Sequence, residues 1–244
     1  MTTYSDLISA SITLPTPYIP GRDPIGSAVI FDLDDTLILT APHWKHAETT
    51  LLKRLGHPWS EELSLQYKGM NLPDIAATLH RKFRPELSVA ECRNILRNAL
   101  LESLRHGPVL LMPGALECLA RARAVAPLAI VSGSPMAAIE LILYRTEITH
   151  LFKVKLGSDS AAAGQPAPDL LMAAARELGA APEQCLVFED SLVGVTAARN
   201  AGMTCLAVPS ARPAEVARVA TRCFRSLAEI PLEEMKRALS PSKG

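Results

Sequence analysis

Three carboxylates crowd into four positions at the end of the apolar run VIFDLDDT, residues 29–36. They are Asp32, Asp34 and Asp35. Carboxylates this close repel one another, and each resists losing its water, so burying them together is unfavourable unless something compensates their charge. A divalent cation is the simplest compensation, because hard cations such as Mg²⁺ take oxygen ligands from one or two carboxylates and from a phosphate. The stretch therefore predicts a magnesium site.

The elements that must position these carboxylates are strands that alternate with helices. Strand-like runs, apolar and rich in β-branched residues, recur at 27–33, 127–133, 152–157, 184–190 and 204–208. Helix-periodic segments lie between most of them. This alternation favours parallel strands joined by right-handed crossovers. We therefore predict an α/β fold, a Rossmann-like parallel sheet sandwiched by helices.

One long segment, 41–108, interrupts this alternation. It contains no convincing strand, and its apolar residues recur with the period of several amphipathic helices. We predict that it is a helical cap subdomain, inserted into a catalytic core made of 26–40 and 109–244. Residues 1–25 are rich in Ser, Thr and Pro and are predicted to be a flexible tail.

Composition and charge exclude several classes of protein. Among 244 residues, 25 are Lys or Arg and 25 are Asp or Glu, so the chain carries no net charge. This balance argues against a nucleic-acid or anionic-membrane surface spread over the whole protein. No apolar run approaches the roughly 18 residues that span a bilayer, and the N-terminus lacks the pattern of a secretion signal. Five cysteines without CxxC spacing predict buried, reduced thiols and a cytoplasmic location.

Polar residues stand at the carboxyl ends of the predicted strands, where doubly wound sheets bind their ligands. In chain order they are Asp32, Asp34, Ser132, Gly133, Gln165 in the stretch GQPAPD, Glu189 and Asp190. If the sheet is parallel, these groups converge on one edge. Four acidic groups with a hydroxyl and backbone amides predict a pocket for a metal ion and a phosphate.

Four stretches carry a resemblance to a known family. They are DLDDT, the strand ending in Ser132, PAPD, and EDSLVGVTAARNAGM. These resemble the four motifs of the haloacid dehalogenase superfamily, and the match is closest to its sugar-phosphate phosphatase and β-phosphoglucomutase branch with a helical cap. The resemblance covers roughly residues 27–230, and the 41–108 insert falls where that branch carries its cap.

The resemblance implies a role for each acidic group. Asp32 is expected to be the nucleophile that forms an aspartyl-phosphate. Asp34 is expected to protonate the leaving oxygen and then to activate the hydrolytic water, while its backbone carbonyl binds the metal. Asp190 and Glu189 are expected to complete the Mg²⁺ site with Asp32.

The neighbouring polar residues also receive roles from the resemblance. Ser132 and the amide of Gly133 are expected to bind the phosphoryl oxygens, and Thr36 to steady the nucleophile loop by hydrogen bonding. Asp35 commonly corresponds to Gly in this family, so we expect it to stabilise the turn rather than to take part in the chemistry.

Gln165 departs from the family pattern, because relatives usually have Lys there, beside the transferring phosphoryl group. Gln donates hydrogen bonds but carries no charge, and losing one preorganised donor typically costs about 10²–10³ in rate. Lys153 and Lys155 lie on the preceding strand, and alternation puts both on the same face. Either they approach the pocket and compensate for Gln165, or they are solvated charges at the end of that strand.

Two cap stretches are further candidates for substrate contact. In HWKH, residues 43–46, Trp44 forms either a wall of the pocket or part of the seam between cap and core. Met70 and Asn71 follow Gly69 in a loop that is expected to face the active site.

The leading hypothesis is a Mg²⁺-dependent phosphomonoester hydrolase that acts on a small phosphorylated metabolite such as a sugar phosphate. One alternative is a catalytically weakened relative that binds a phosphorylated ligand or a protein partner, and Gln165 is the observation behind it. A further alternative within the enzyme class is a phosphosugar mutase. No nucleic-acid or membrane partner is expected.

Overall fold

A computed structural model describes residues 26–160 and 166–240. Within these residues, one six-stranded sheet has the order β3-β2-β1-β4-β5-β6, and every neighbouring pair is parallel. The strands are β1 (Ala28–Phe31), β2 (Leu128–Val131), β3 (Phe152–Leu156), β4 (Cys185–Glu189), β5 (Thr204–Ala207) and β6 (Arg222–Cys223). The predicted α/β fold with a parallel sheet is therefore confirmed. The predicted tail, residues 1–25, lies outside the described residues.

Ten α-helices accompany the sheet in the described part of the chain. They are α1 (Ala41–Arg54), α2 (Glu61–Ser64), α3 (Leu72–Phe83), α4 (Val89–His106), α5 (Ala115–Arg123), α6 (Met136–Arg145), α7 (Asp169–Leu178), α8 (Leu192–Asn200), α9 (Pro213–Ala217) and α10 (Leu232–Leu239). The first five lie between β1 and β2, so the helical insertion predicted after the first strand is present. None of the described helices is both long and apolar enough to span a bilayer.

The insertion folds because each of its long helices has a local start signal and an apolar face. Asn71 caps α3 by accepting a hydrogen bond from the Asp74 amide, and Ser88 forms a capping box with Glu91 at α4. Helix α4 packs against both α1 and α3. Residues 41–108 are all described and contain no strand.

Several features were not predicted. Strand β6 has only two residues, both exposed, and so lacks the apolar run that marks a strand. Helices α6 and α10 were also missed. Cys223, on β6, is exposed, so the prediction that all five thiols are buried was wrong for this one. The other four cysteines are free and buried as predicted.

The centre of the sheet holds the two strands that carry the acidic residues. Phe31 on β1 and Phe188 on β4 are register partners, both fully buried, with ring centroids 4.4 Å apart and planes within 7° of parallel. Their stacking and burial hold the carboxyl ends of these strands side by side. Asp32 and Glu189, the residues that follow each ring, are thereby fixed next to one another.

Replacing Phe188 with Ala is expected to lower the free energy of unfolding by about 3–5 kcal/mol, because a stacked, buried ring is lost and a cavity remains. Chemical denaturation followed by circular dichroism measures this. Tyr144→Ala is the control, since Tyr144 is 78% exposed and its loss should change stability by less than about 0.5 kcal/mol. Equal effects of the two substitutions would contradict this account of the core.

Candidate active site

Three buried carboxylates form what we call the acid cluster: Asp32, Glu189 and Asp190. One carboxylate oxygen from each lies within 4.8 Å of the others. Asp32 follows β1, and its amide donates to the Phe188 carbonyl at 3.0 Å, while Glu189 ends the adjacent strand β4. The pairing of these two strands, rather than any local sequence motif, brings the three acids together.

Glu189 is held by the start of helix α8. Its Oε2 accepts from the amides of Asp190 at 2.9 Å and Ser191 at 3.0 Å, and from the Ser191 hydroxyl at 3.1 Å. Gly194 makes this possible, because a Cβ there would lie 1.7 Å from Glu189 Oε1. The glycine is required for the close approach of helix and carboxylate, not for its backbone conformation.

The acid cluster is under strong electrostatic stress. Burial, together with the charges of Glu189, Asp190 and Asp34, raises the pKa of Asp32 well above its usual value. Burial and the charge of Glu189 raise the pKa of Asp190 to about 8. Asp32 Oδ2 and Thr36 Oγ1 are buried without a hydrogen-bond partner among the described residues, although the nearby Thr36 hydroxyl lowers the pKa of Asp32.

The chemistry of these groups fits a hard divalent cation. Three carboxylates supply only oxygen ligands, the donor type that Mg²⁺ prefers, and a buried oxygen of Asp32 has no hydrogen-bond partner among the described residues. A cation here would offset the mutual repulsion that raises their pKa values. The carboxylate of Asp34 is not part of the acid cluster.

Asp34 is instead held by three donors from two parts of the chain. Trp44 Nε1, on the first cap helix, donates to Oδ1 at 2.9 Å. The hydroxyls of Ser132 and Ser134, after β2, donate to Oδ2 at 2.7 and 2.9 Å. In the structure the Ser132 hydroxyl, predicted to bind phosphate, is thus directed at Asp34. Trp44 thus lies in the seam between cap and core, and it also lines the cavity described below.

Asp35 lies in the turn that follows Asp32, with a positive φ of 57°. Its Oδ1 accepts from the amides of Thr40 at 3.1 Å and Ala41 at 2.9 Å, so it caps the start of α1. Its Oδ2 forms an ion pair with Lys68 at 2.7 Å. The side chain therefore stabilises the turn and links it to the cap.

A cavity of about 750 Å³ opens between core and cap. Its core wall contains Asp32, Asp34, Gly133, Glu189 and Asp190, and its cap wall includes Trp44, Lys45, Glu48, Trp59, Tyr67, Lys68 and Met70. Five of the seven site positions predicted from strand ends thus line one cavity. Ser132 does not line the cavity itself, but its hydroxyl donates to Asp34, which does. Gln165 lies outside the described residues.

The two cap stretches considered for substrate contact contain residues of two kinds, some that line the cavity and some that stabilise the fold. Met70, Trp44 and Lys45 line the cavity, whereas His43 is buried with its ring nitrogens on Ser103 Oγ and the Pro108 carbonyl. Asn71 caps α3. Neither Lys153 nor Lys155 is among the described residues that line the cavity.

Sequence reasoning missed Ser134, Glu48 and Lys68. Ser134 had a local signal, since it lies two residues beyond Ser132 in the same loop. Glu48 and Lys68 had none, because their proximity to the acid cluster depends on how the cap rests on the core.

Comparisons with known proteins agree with this geometry. A family model described as a haloacid dehalogenase-like hydrolase matches residues 27–202. The chain is 32% identical over 216 residues to the bifunctional riboflavin kinase/FMN phosphatase of Arabidopsis thaliana, a match that covers 86% of this chain but only 56% of that protein. It is 28% identical over 181 residues to fructose-1-phosphate phosphatase YqaB of Escherichia coli (strain K12), covering 72% of this chain and 93% of that one.

Among solved structures, a variant of CbbY from Rhodobacter sphaeroides in complex with xylulose-(1,5)bisphosphate superposes with a TM-score of 0.74. The two chains are 27% identical, and the superposition covers 84% of this chain and 96% of CbbY. Both the sheet and the cap therefore have counterparts in that protein.

Without a metal ion, the protein should lose stability as the pH rises. The pKa of Asp190 is about 8 in the fold against an ordinary 3.8, so between these values the folded state binds more protons than the unfolded chain. That contribution is present at low pH and is lost as the pH rises through about 8. We expect the Tm of chelator-treated protein to fall from about pH 6 to about pH 9, measured by scanning calorimetry.

Asp190→Asn should flatten this profile, and Mg²⁺ should raise the Tm of the wild type most at the alkaline end. Asp74→Asn, a carboxylate-to-amide change at an exposed cap position, should keep the wild-type slope. A profile that is unchanged by Asp190→Asn would show that the acid cluster is not under the repulsion described above.

Proposed function

We propose a function for this chain, which belongs to the haloacid dehalogenase-like hydrolase family, as a phosphatase of its sugar-phosphate phosphatase and β-phosphoglucomutase-like branch. It hydrolyses a small phosphate monoester with Mg²⁺, through an aspartyl-phosphate on Asp32. The observation that carries the proposal is the buried acid cluster, open to the same cavity as Asp34. The cavity is large enough for a small phosphorylated metabolite.

Asp32 has the environment that a carboxylate nucleophile needs. Its Oδ2 makes no hydrogen bond to a described residue, so a lone pair remains available to attack phosphorus. Asp32, Glu189 and Asp190, with the backbone carbonyl of Asp34, would hold Mg²⁺. When bound, the metal supplies positive charge that keeps these groups ionised and stabilises the developing charge on the phosphoryl oxygens.

Asp34 is suited to proton transfer because its carboxylate is already oriented. Trp44 and the two serine hydroxyls hold it above the cavity, and it is only partly buried. In the first step the bond from Asp32 to phosphorus forms, the bond to the leaving oxygen breaks, and Asp34 gives that oxygen a proton. In the second step Asp34 takes a proton from water, which attacks phosphorus, releases phosphate and restores Asp32.

The phosphoryl oxygens would be bound by donors at the ends of β2 and in the following loops. Gly133 lines the cavity, and its backbone lies close to Met70 and Asn71 of the cap. Its amide is one candidate donor. Ser132 and Gln165 are the remaining candidates. The cap above them limits the size of the substrate and excludes bulk water during transfer.

The cap wall favours a sugar-like monophosphate. Trp44 and Trp59 offer flat apolar faces, and Glu48 is a buried carboxylate whose Oε2 accepts from Trp59 Nε1 at 2.6 Å. The cap wall carries two carboxylates, Glu48 and Glu61, and two lysines. Lys68 is already paired with Asp35 at 2.7 Å, and Lys45 lies 4.3 Å above the Trp59 ring. Carboxylates attract hydroxyl groups and repel a second phosphate. We therefore propose a hydroxyl-rich monoester rather than a bisphosphate.

Asp32→Asn should abolish turnover, because the amide cannot form the aspartyl-phosphate. We expect phosphate release from p-nitrophenyl phosphate and from a sugar-phosphate panel to need Mg²⁺ and to fall at least about 10³-fold in the variant. Asp74→Asn makes the same chemical change on the cap surface and should leave the rate unchanged.

Residual turnover by Asp32→Asn near the wild-type rate would refute the nucleophile assignment. Isomerised sugar phosphate instead of free phosphate would indicate a mutase. A wild type that shows no turnover, yet gains thermal stability with Mg²⁺ and phosphate, would indicate a binding protein.

Glu48→Gln should change selectivity more than rate. The amide oxygen still accepts from Trp59, so the cap remains folded, but the negative charge is lost. We expect kcat/KM for sugar bisphosphates relative to monophosphates to rise about tenfold. Glu62→Gln, at an exposed position on the same helix as Glu61, is the control and should leave the ratio unchanged. An unchanged ratio in Glu48→Gln would exclude Glu48 from substrate selection.

A further inference from the structure

Lys68 is a cap residue that reaches into the acidic end of the cavity. It lies in the turn after α2, and its Nζ is 2.7 Å from Asp35 Oδ2 and 3.7 Å from Asp190 Oδ2. The side chain is only 28% exposed. The ammonium is thereby paired with Asp35 and lies beside Asp190 of the acid cluster.

The loop that carries Lys68 is fixed to the core at two places. Gly69 has a φ of +83°, and a Cβ there would lie 2.6 Å from the Ser191 hydroxyl. On the other side, a Cβ at Gly133 would lie 3.1 Å from Asn71 Cα, and the Leu72 amide donates to the Gly133 carbonyl at 3.1 Å. Two glycines, one from cap and one from core, thus allow the contact that places Lys68.

Lys68 occupies this position in a chain whose core lacks the usual charge. Gln165 stands where relatives of this family usually have Lys. The described cavity wall contains two lysines, Lys45 and Lys68. Lys45 lies over the Trp59 ring in the cap, which leaves Lys68 as the cation that contacts the acid cluster.

We propose that Lys68 takes over the electrostatic role of the missing core lysine, so that the positive charge for phosphoryl transfer is delivered by the cap. The proposal rests on the proposed function, because it concerns the same phosphoryl site. A core lysine would stay beside the phosphate in every state of the enzyme. Lys68 is beside it only while the cap rests on the core. Charge compensation and cap closure are thereby one event.

Lys68→Met tests this by its opposite effects on anion and cation binding. Orthophosphate binding to the Mg²⁺-loaded protein, measured by calorimetry, should weaken at least about tenfold, because a charged donor is lost. Mg²⁺ binding to the apo protein should be unchanged or tighter, since Asp190 loses a competing cation. We expect kcat to fall about 10²–10³-fold. Lys82→Met, at an exposed cap position, should change none of these quantities.

Gln165→Lys provides the rescue. In the Lys68→Met background it should restore phosphate affinity and most of kcat, and Lys68→Arg should keep both within about tenfold of the wild type. A variant that loses Mg²⁺ and phosphate binding together, with a lower Tm, would show that Lys68 only holds the cap in place. Unchanged phosphate binding in Lys68→Met, or no rescue by Gln165→Lys, would also overturn the proposal.

These outcomes are separable from failure of the proposed function. If Lys68→Met behaves as the wild type while Asp32→Asn is inactive, the phosphatase mechanism stands and the role of Lys68 falls. If the wild type itself releases no phosphate from any ester, the proposed function fails, and the binding measurements alone decide whether Lys68 contributes to the anion site.

Discussion

Mutual repulsion among Asp32, Glu189 and Asp190 is the constraint on which the rest of this structure depends. Ionised carboxylates within 4.8 Å of one another in a buried site are unfavourable, so each must be held in place by other interactions. Glu189 is held by amides of the following helix, which approaches through Gly194. Asp190 contacts Lys68 and the Ser210 hydroxyl. The hydrophobic sheet beneath them supplies the stability that this arrangement opposes.

The acidic half of the site could be predicted from sequence because it follows from local patterns and one topological rule. Apolar runs identified the strands that end at Asp32 and Glu189, and parallel pairing requires their carboxyl ends to meet. The role of Asp35 in the turn was expected from the family resemblance, and its contacts to Thr40 and Ala41 are local. No folding detail beyond strand direction was needed for these residues.

The cap half could be predicted only in part. Trp44 and Met70 were candidates from sequence and line the cavity. Lys68 was not, because it reaches Asp35 and Asp190 across sequence separations that carry no pattern. The lysines that precede Gln165 most closely in sequence are Lys153 and Lys155, both on β3. The lysine that lies beside the acid cluster is Lys68 in the cap. Sequence proximity does not indicate it, since the pocket is built from separate segments.

A cation carried by the cap changes how substrate and product move through the site. With the cap away from the core, the acid cluster lacks Lys68, and an incoming phosphate meets mainly negative charge unless Mg²⁺ is bound. Under this proposal, productive binding requires both the metal and cap closure. The same logic applies to product release, because opening the cap withdraws the ammonium from the phosphate that has formed. An enzyme with its lysine in the core must release phosphate against a permanent positive charge. Gln165 stands where relatives usually have Lys, and Lys68 lies in the cap. Under the proposal, these two features together link catalysis to the motion of the cap.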